Sequence, residues 1–160
     1  MIAVDANVVL PLLREDALTG ASQGVRGVAS DWVVPSLLTT ELANALLKDV
    51  KAGFLTIDRA VQASKTAADL IARARVVDPP PADVLVAAHR SGLTAYDATY
   101  VVLARALGVL LITEDRQILR ACPDVARSMR QFLSPPEPPT AVRERPSAYN
   151  TRRPRKRGDT

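Results

Sequence analysis

Four acidic residues stand where their neighbours predict buried or half-buried backbone: Asp5, Glu41, Asp97 and Asp115. Asp5 ends the apolar run Ile2-Ala3-Val4, and Glu41 lies in the apolar stripe of a helix. Asp97 opens Asp97-Ala98-Thr99-Tyr100-Val101-Val102-Leu103-Ala104, and Asp115 follows the strand-like run Val109-Leu110-Leu111-Ile112-Thr113. Carboxylates are seldom buried unless they are paired or bind a metal. With no matching set of buried Lys or Arg, four of them at element ends point to one shared cation site. A cation held by carboxylates is a means of metal-assisted phosphodiester hydrolysis.

Each acid also has a structural use. Asp5 suits a helix N-cap, with Asn7 as a turn or supporting residue. Glu41 follows Leu38 by three residues and precedes Ala45 by four, which puts it on the apolar face. A boundary glutamate can bend out to solvent, but Lys48 is a full heptad away and no nearby basic residue shares the face. Thr94 and Asp97 fit the N-cap and N3 positions of a capping box, with Asp shorter than the usual Glu or Gln. Asp115 equally suits the cap of a helix starting at Arg116, and Glu114 beside it is expected to face solvent. The conjunction of the four favours chemistry over any single reading.

The elements that must position these acids alternate between strand and helix. Residues 2–5 read as a buried strand and 6–13 as a helix that Pro11 shortens or kinks. A weaker helix, interrupted by Gly20, Gly24 and Gly27, covers roughly 16–28. Trp32-Val33-Val34 is a second strand. Ser36 is placed as the N-cap of a helix over 37–51, and Thr56 as that of a helix over about 57–75; the two form an αα-hairpin through Ala52-Gly53-Phe54-Leu55. Val76-Val77 suggests a third strand, followed by the rigid run Pro79-Pro80-Pro81. Helices at 82–91 and 95–107, a buried strand at Leu110–Ile112 and a short helix near Arg116 follow. Met129–Leu133 is expected as an edge strand or terminal turn. Such alternation predicts a parallel α/β sheet with helices on both faces, whose ligands gather at the carboxyl ends of the strands. Asp5 and Asp115 both fall there.

The chain of 160 residues is 48% hydrophobic and only 4% aromatic, which suits helices on a buried sheet and is poor for a base-stacking platform. One cysteine, Cys122, excludes an internal disulfide and a cysteine-rich zinc site, and one histidine, His89, excludes paired-histidine catalysis within the chain. Trp32 and Cys122 are expected to pack, and His89 to lie at a helix surface. The start Met1-Ile2-Ala3-Val4-Asp5 lacks a positive leader region, and no stretch reaches the length of a membrane span, so the cytoplasm is the expected compartment. The net charge of +4 is unevenly spread. Residues 1–133 carry fourteen basic and fourteen acidic residues, whereas 134–160 carry seven and three. Six of the twelve prolines also fall in 134–160, which contains Arg152-Arg153-Pro154-Arg155-Lys156-Arg157. The expected division is a folded domain over 1–133 and a disordered Pro-rich basic tail over 134–160.

The ordered set Val4-Asp5-Ala6-Asn7, Glu41-Leu42-Ala43-Asn44-Ala45-Leu46, Tyr96-Asp97-Ala98-Thr99-Tyr100 and Leu111-Ile112-Thr113-Glu114-Asp115 resembles the PIN-domain ribonucleases, and within them the VapC-like toxins. The resemblance covers residues 1 to about 133. It implies a three-layer α/β/α sandwich with a mostly parallel sheet and an αα-hairpin. It also implies Mg²⁺ or Mn²⁺, one ion or two, held by Asp5, Asp97 and Asp115, with Glu41 binding or orienting a metal-bound water and with Asn7 and Thr113 in support. The implied activity is endoribonuclease cleavage of RNA; the implied partners are a second copy of the chain, in a homodimer, and a cognate antitoxin laid near the αα-hairpin. Two other readings remain at this point. A HAD-like phosphohydrolase would need Asp-x-Asp after the first strand, and position 7 is Asn. A non-catalytic RNA- or partner-binding module would not need all four acids.

Overall fold

The computed structural model describes residues 1–134, so the tail expected from Ser134 onward lies outside the described residues except for Ser134 itself. Strands β1 (Ile2–Val4), β2 (Trp32–Val34), β3 (Arg75–Val76), β4 (Leu111–Ile112) and β5 (Ala126–Arg127) form one sheet in the order β3-β2-β1-β4-β5, with every pairing parallel. The helices are α1 (Ala6–Val9), α2 (Thr19–Val28), α3 (Leu37–Lys51), α4 (Ile57–Ala72), α5 (Pro81–Ser91), α6 (Ala95–Leu107), α7 (Arg116–Ala121) and α8 (Met129–Leu133). A 3-10 turn, Leu10–Leu12, extends α1 where Pro11 removes a backbone donor.

Side chains along a strand point alternately to opposite faces, and the core divides accordingly. Ile2, Val4, Trp32, Val34 and Ile112 pack with Val8, Val25, Leu38, Leu42, Ala67 and Met129. Ala3, Val33, Leu111 and Ala126 pack with Tyr100, Val101, Leu103, Ala104 and Ile118. Helices α1, α2, α3, α4 and α8 therefore cover one face and α6 and α7 the other, giving the expected three layers. Helices α3 and α4 form the expected αα-hairpin. Its turn needs a left-handed residue, supplied by Gly53 at φ 78°, and its inner faces meet through Leu46, Ala60 and Ala63. Trp32 and Cys122 are buried and His89 is exposed, as expected.

Several boundaries differ from the sequence reading for local reasons. Helix α2 starts at Thr19 rather than 16, because Asp16 turns the chain first: its Oδ1 accepts from Leu18 N–H at 2.8 Å, and its own N–H donates to Thr19 Oγ1. Strand β3 falls one residue earlier than expected because α4 ends at Ala72. Ser36 precedes α3 without capping it; its N–H donates to Asp78 Oδ1 at 2.8 Å. Met129–Leu133 is a helix. Ser128 Oγ accepts from Gln131 N–H at 3.1 Å while Gln131 Oε1 accepts from Ser128 N–H at 2.8 Å, a capping box that outweighs the strand-like composition. The edge strand is the preceding pair, Ala126–Arg127.

Ala104 is fully buried on α6, which packs on β1, whereas Ala106 on the same helix is exposed. Leucine at Ala104 must therefore lift α6 from the sheet, at a cost of about 1–3 kcal/mol. Urea unfolding is expected to show that loss for Ala104→Leu and little change for Ala106→Leu; equal effects would contradict the placement of α6.

Candidate active site

Parallel pairing of β1 with β4 brings Val4 opposite Ile112, so the residues just past each strand, Asp5 and Thr113, emerge side by side. Thr113 Oγ1 donates to Asp5 Oδ2 at 2.7 Å, and Asn7 Nδ2 donates to the same oxygen at 2.8 Å. Asp5 Oδ1 accepts from Ala6 N–H at 2.5 Å, the N-cap contact of α1. Asn7 Oδ1 accepts from Glu114 N–H at 2.9 Å, and Thr113 Oγ1 accepts from Asp115 N–H at 2.9 Å. Asn7 and Thr113 thus clamp the Asp5 carboxylate and the β4–α7 loop together. Glu114 does not point to solvent: its Oε1 accepts from Met129 N–H at 2.8 Å, at the start of α8.

Glu41 and Asp97 reach this place from opposite layers. Glu41 is half-buried on α3, and its Oε2 accepts from the hydroxyl of Tyr100, a fully buried residue of α6. Asp97 lies three residues before Tyr100, on the same side of α6. Thr94 caps α6 by accepting from Asp97 N–H at 3.2 Å, but the Asp97 side chain does not complete the box. Its Oδ2 instead accepts from the Thr94 hydroxyl at 2.7 Å. Sequence reasoning passed over Tyr100. The available signal was that a buried tyrosine needs a partner for its O–H, and this one shares a helix face with an acid.

The charges act on one another. Burial, and then the charges of Glu41 and Asp97, raise Asp5 to about 6 against the hydrogen bonds of Thr113 and Ala6. Burial and then Asp97 raise Glu41, opposed by the Tyr100 hydrogen bond. Tyr100 is pushed up by burial and by its bond to Glu41, so its hydroxyl stays a donor. Among the described residues none of Asp5, Glu41, Asp97 and Asp115 forms an ion pair. Asp115 is the outlier: its Oδ1 caps α7, accepting from Gln117 N–H at 2.6 Å and Ile118 N–H at 3.0 Å, and it joins the others only through Thr113.

Hard oxygen donors, mutually repelling and without a cationic side chain, fit a divalent cation such as Mg²⁺ in chemical type. Among the described residues no three acidic, His or Cys side chains stand close enough together to form a ready-made metal cage. Asp5 is buried and Glu41, Asp97 and Asp115 are half-buried; a recess of about 810 Å³ between the 3-10 turn and the αα-hairpin is lined by none of the four.

The raised Asp5 value has a consequence for stability. The folded chain holds that proton more tightly than the unfolded chain, whose value is near 3.8. The contribution is therefore most favourable below about pH 4 and is lost as pH rises through about 6, by about 3 kcal/mol. In metal-free buffer the parent is expected to lose this stability between those values, and Asp5→Asn is not. Urea unfolding across the range checks it; parallel pH dependences would contradict the burial of a carboxylate here.

A family model described as the PIN domain matches residues 2–122. Exonuclease VapC9 of Pyrobaculum aerophilum is 39% identical over 80 residues, a match covering 49% of this chain and only 58% of that relative. Ribonuclease VapC3 of the same organism is 27% identical over 124 residues, covering 76% of this chain and 95% of the relative. Among solved structures, PAE2754 from Pyrobaculum aerophilum superposes with a TM-score of 0.67 at 26% identity, covering 82% of this chain and 91% of that one. Among the described residues no helix is long and apolar enough to cross a membrane. The matched span runs from β1 through α7 and takes in all four acids, and the chain belongs to the PIN-domain family.

Proposed function

We propose that this protein is a metal-dependent endoribonuclease, hydrolysing RNA phosphodiester bonds as the toxin of a toxin–antitoxin pair. The observation that carries the reading is that Asp5, Glu41 and Asp97 act on one another's charge at the carboxyl edge of the sheet, with no cationic side chain within ion-pair distance of them among the described residues. Asp5, Glu41, Asp97 and the free Oδ2 of Asp115 would hold Mg²⁺ or Mn²⁺. When bound, such an ion supplies a water of lowered pKa and charge stabilisation for the pentavalent phosphoryl transition state. The chain's own groups supply the rest. Thr113 and Asn7 fix the Asp5 oxygens, Tyr100 fixes Glu41, and the remaining carboxylate oxygens are left to orient water for attack on phosphorus.

The half-exposed position of Glu41, Asp97 and Asp115 supports entry of an internal stretch of RNA. The name of VapC9 favours a second reading, exonuclease action. A circular RNA separates the two, since only an endonuclease opens it. For partners, the reading includes a homodimer and an antitoxin. A shallow apolar recess on the αα-hairpin, with Leu47, Ile57 and Val61 exposed around it, supports a docked apolar segment there.

Asp97→Asn is expected to abolish divalent-dependent RNA cleavage while leaving the thermal midpoint near that of the parent, because an amide keeps an acceptor for Thr94 but loses the charge. EDTA should remove the parent's activity likewise. Cleavage near the parental rate in Asp97→Asn would overturn the assignment. Tyr100→Phe is expected to weaken Mn²⁺ affinity about tenfold, the scale of losing a group that orients a ligand. Calorimetric titration checks it, and unchanged affinity would show that Tyr100 only packs.

A further inference from the structure

The formally neutral chain of residues 1–133 conceals a division. Residues 1–115 hold ten Lys and Arg against thirteen Asp and Glu, whereas 116–134 hold four arginines, Arg116, Arg120, Arg127 and Arg130, against Asp124 alone. That one acid is engaged by Arg105, whose Nη2 lies 2.9 Å from Asp124 Oδ1. Among the described residues none of the four arginines is within ion-pair distance of an acid. The segment they occupy, α7 to α8, flanks the candidate active site directly. Thr113 N–H donates to Arg127 O at 3.0 Å, and Glu114 Oε1 meets Met129 N–H.

A groove of about 520 Å³ runs along the edge strand β5 between α7 and α8, with Leu119, Arg127, Arg130 and Gln131 in its walls and no acid. Arg127 is braced there, its Nη1 donating to Pro123 O at 2.6 Å and Ala126 O at 2.7 Å. Arg116 follows Asp115 directly and lies three residues before the groove residue Leu119, on the same face of α7. Of the carboxylates beside the groove, Glu114 is turned to the start of α8, and Asp124, whose charge Arg127 reaches, is paired with Arg105.

Resting on the nuclease reading above, we propose that this groove is a phosphate track: Arg127 and Arg130, with Arg116 next to Asp115, bind the backbone of single-stranded RNA on one side of the scissile bond. An acidic centre repels polyanions, and an adjoining groove whose only charged lining residues are arginines supplies the compensating attraction without reading bases. Gln131 offers a neutral donor to the same backbone.

The test is equilibrium binding of a fluorescein-labelled single-stranded RNA by the full chain across a series of KCl concentrations, in an Asp97→Asn background that silences cleavage. Removing two phosphate contacts with Arg127→Ala/Arg130→Ala should lower the slope of log K against log salt by about 1.4 and weaken binding roughly tenfold at moderate salt. Because Arg127 also braces the β5 turn, Arg116→Ala/Arg130→Ala is measured beside it and should show the same direction. The control, Arg73→Ala/Arg75→Ala, removes equal charge at the opposite edge of the sheet, beside β3, and should change neither quantity. Slopes in both groove variants equal to the control's would overturn the track while leaving the nuclease reading intact. Failure of the background protein to bind RNA at any salt would overturn both.

Discussion

Burying the Asp5 carboxylate is the constraint around which the active face is organised. A charge in that position costs free energy unless it is hydrogen-bonded or neutralised, and the fold supplies the hydrogen bonds from three places. Ala6 donates from the α1 N-terminus, Asn7 from the first turn, and Thr113 from the neighbouring strand. Those bonds do not suffice, since burial and the neighbouring acids still hold Asp5 well above the ordinary carboxylate range. The residual imbalance is what a divalent cation would remove.

The second organising contact joins the two helical layers over the carboxyl edge of the sheet. Glu41 belongs to a helix packed on one face and Tyr100 to a helix packed on the other, and their hydrogen bond is the bridge. Without it, Glu41 would be a half-buried glutamate free to swing into solvent. With it, one carboxylate oxygen is held, in a group close enough to Asp97 and Asp5 for their charges to act on one another. The bridge therefore converts sheet topology into side-chain geometry, since the strand order β2-β1-β4 brings α3 and α6 together at that edge.

Much of this was legible in the sequence. Strand signals separated by one or two helix signals gave the parallel sheet, because a crossover from one parallel strand to the next is usually helical. The four acids stood out because each broke an apolar pattern. The misses were local. A strand-like Met129–Leu133 was folded by a Ser128–Gln131 capping box into a helix, and Asp16 delayed α2 by an Asx turn. Tyr100 was invisible as a functional residue because its value depends on α3, distant in sequence and adjacent only after folding. Asp115 was grouped with the other acids because it falls just past a strand; in space its Oδ1 is taken up in capping α7. The arginine groove was hidden by averaging: a neutral total over the domain cancelled an acidic majority against a basic corner.

The central claim is that Asp5, Glu41 and Asp97 form one cation site whose assembly depends on shared charge. Mn²⁺ binding followed by electron paramagnetic resonance, on the parent and on Asp5→Asn, Glu41→Gln and the double variant, measures this without reference to any substrate. The account predicts that each single change weakens binding by at least tenfold and that the double change costs less than the product of the two, because the carboxylates act as a set. Mn²⁺ affinity in the single variants equal to the parent's would contradict it.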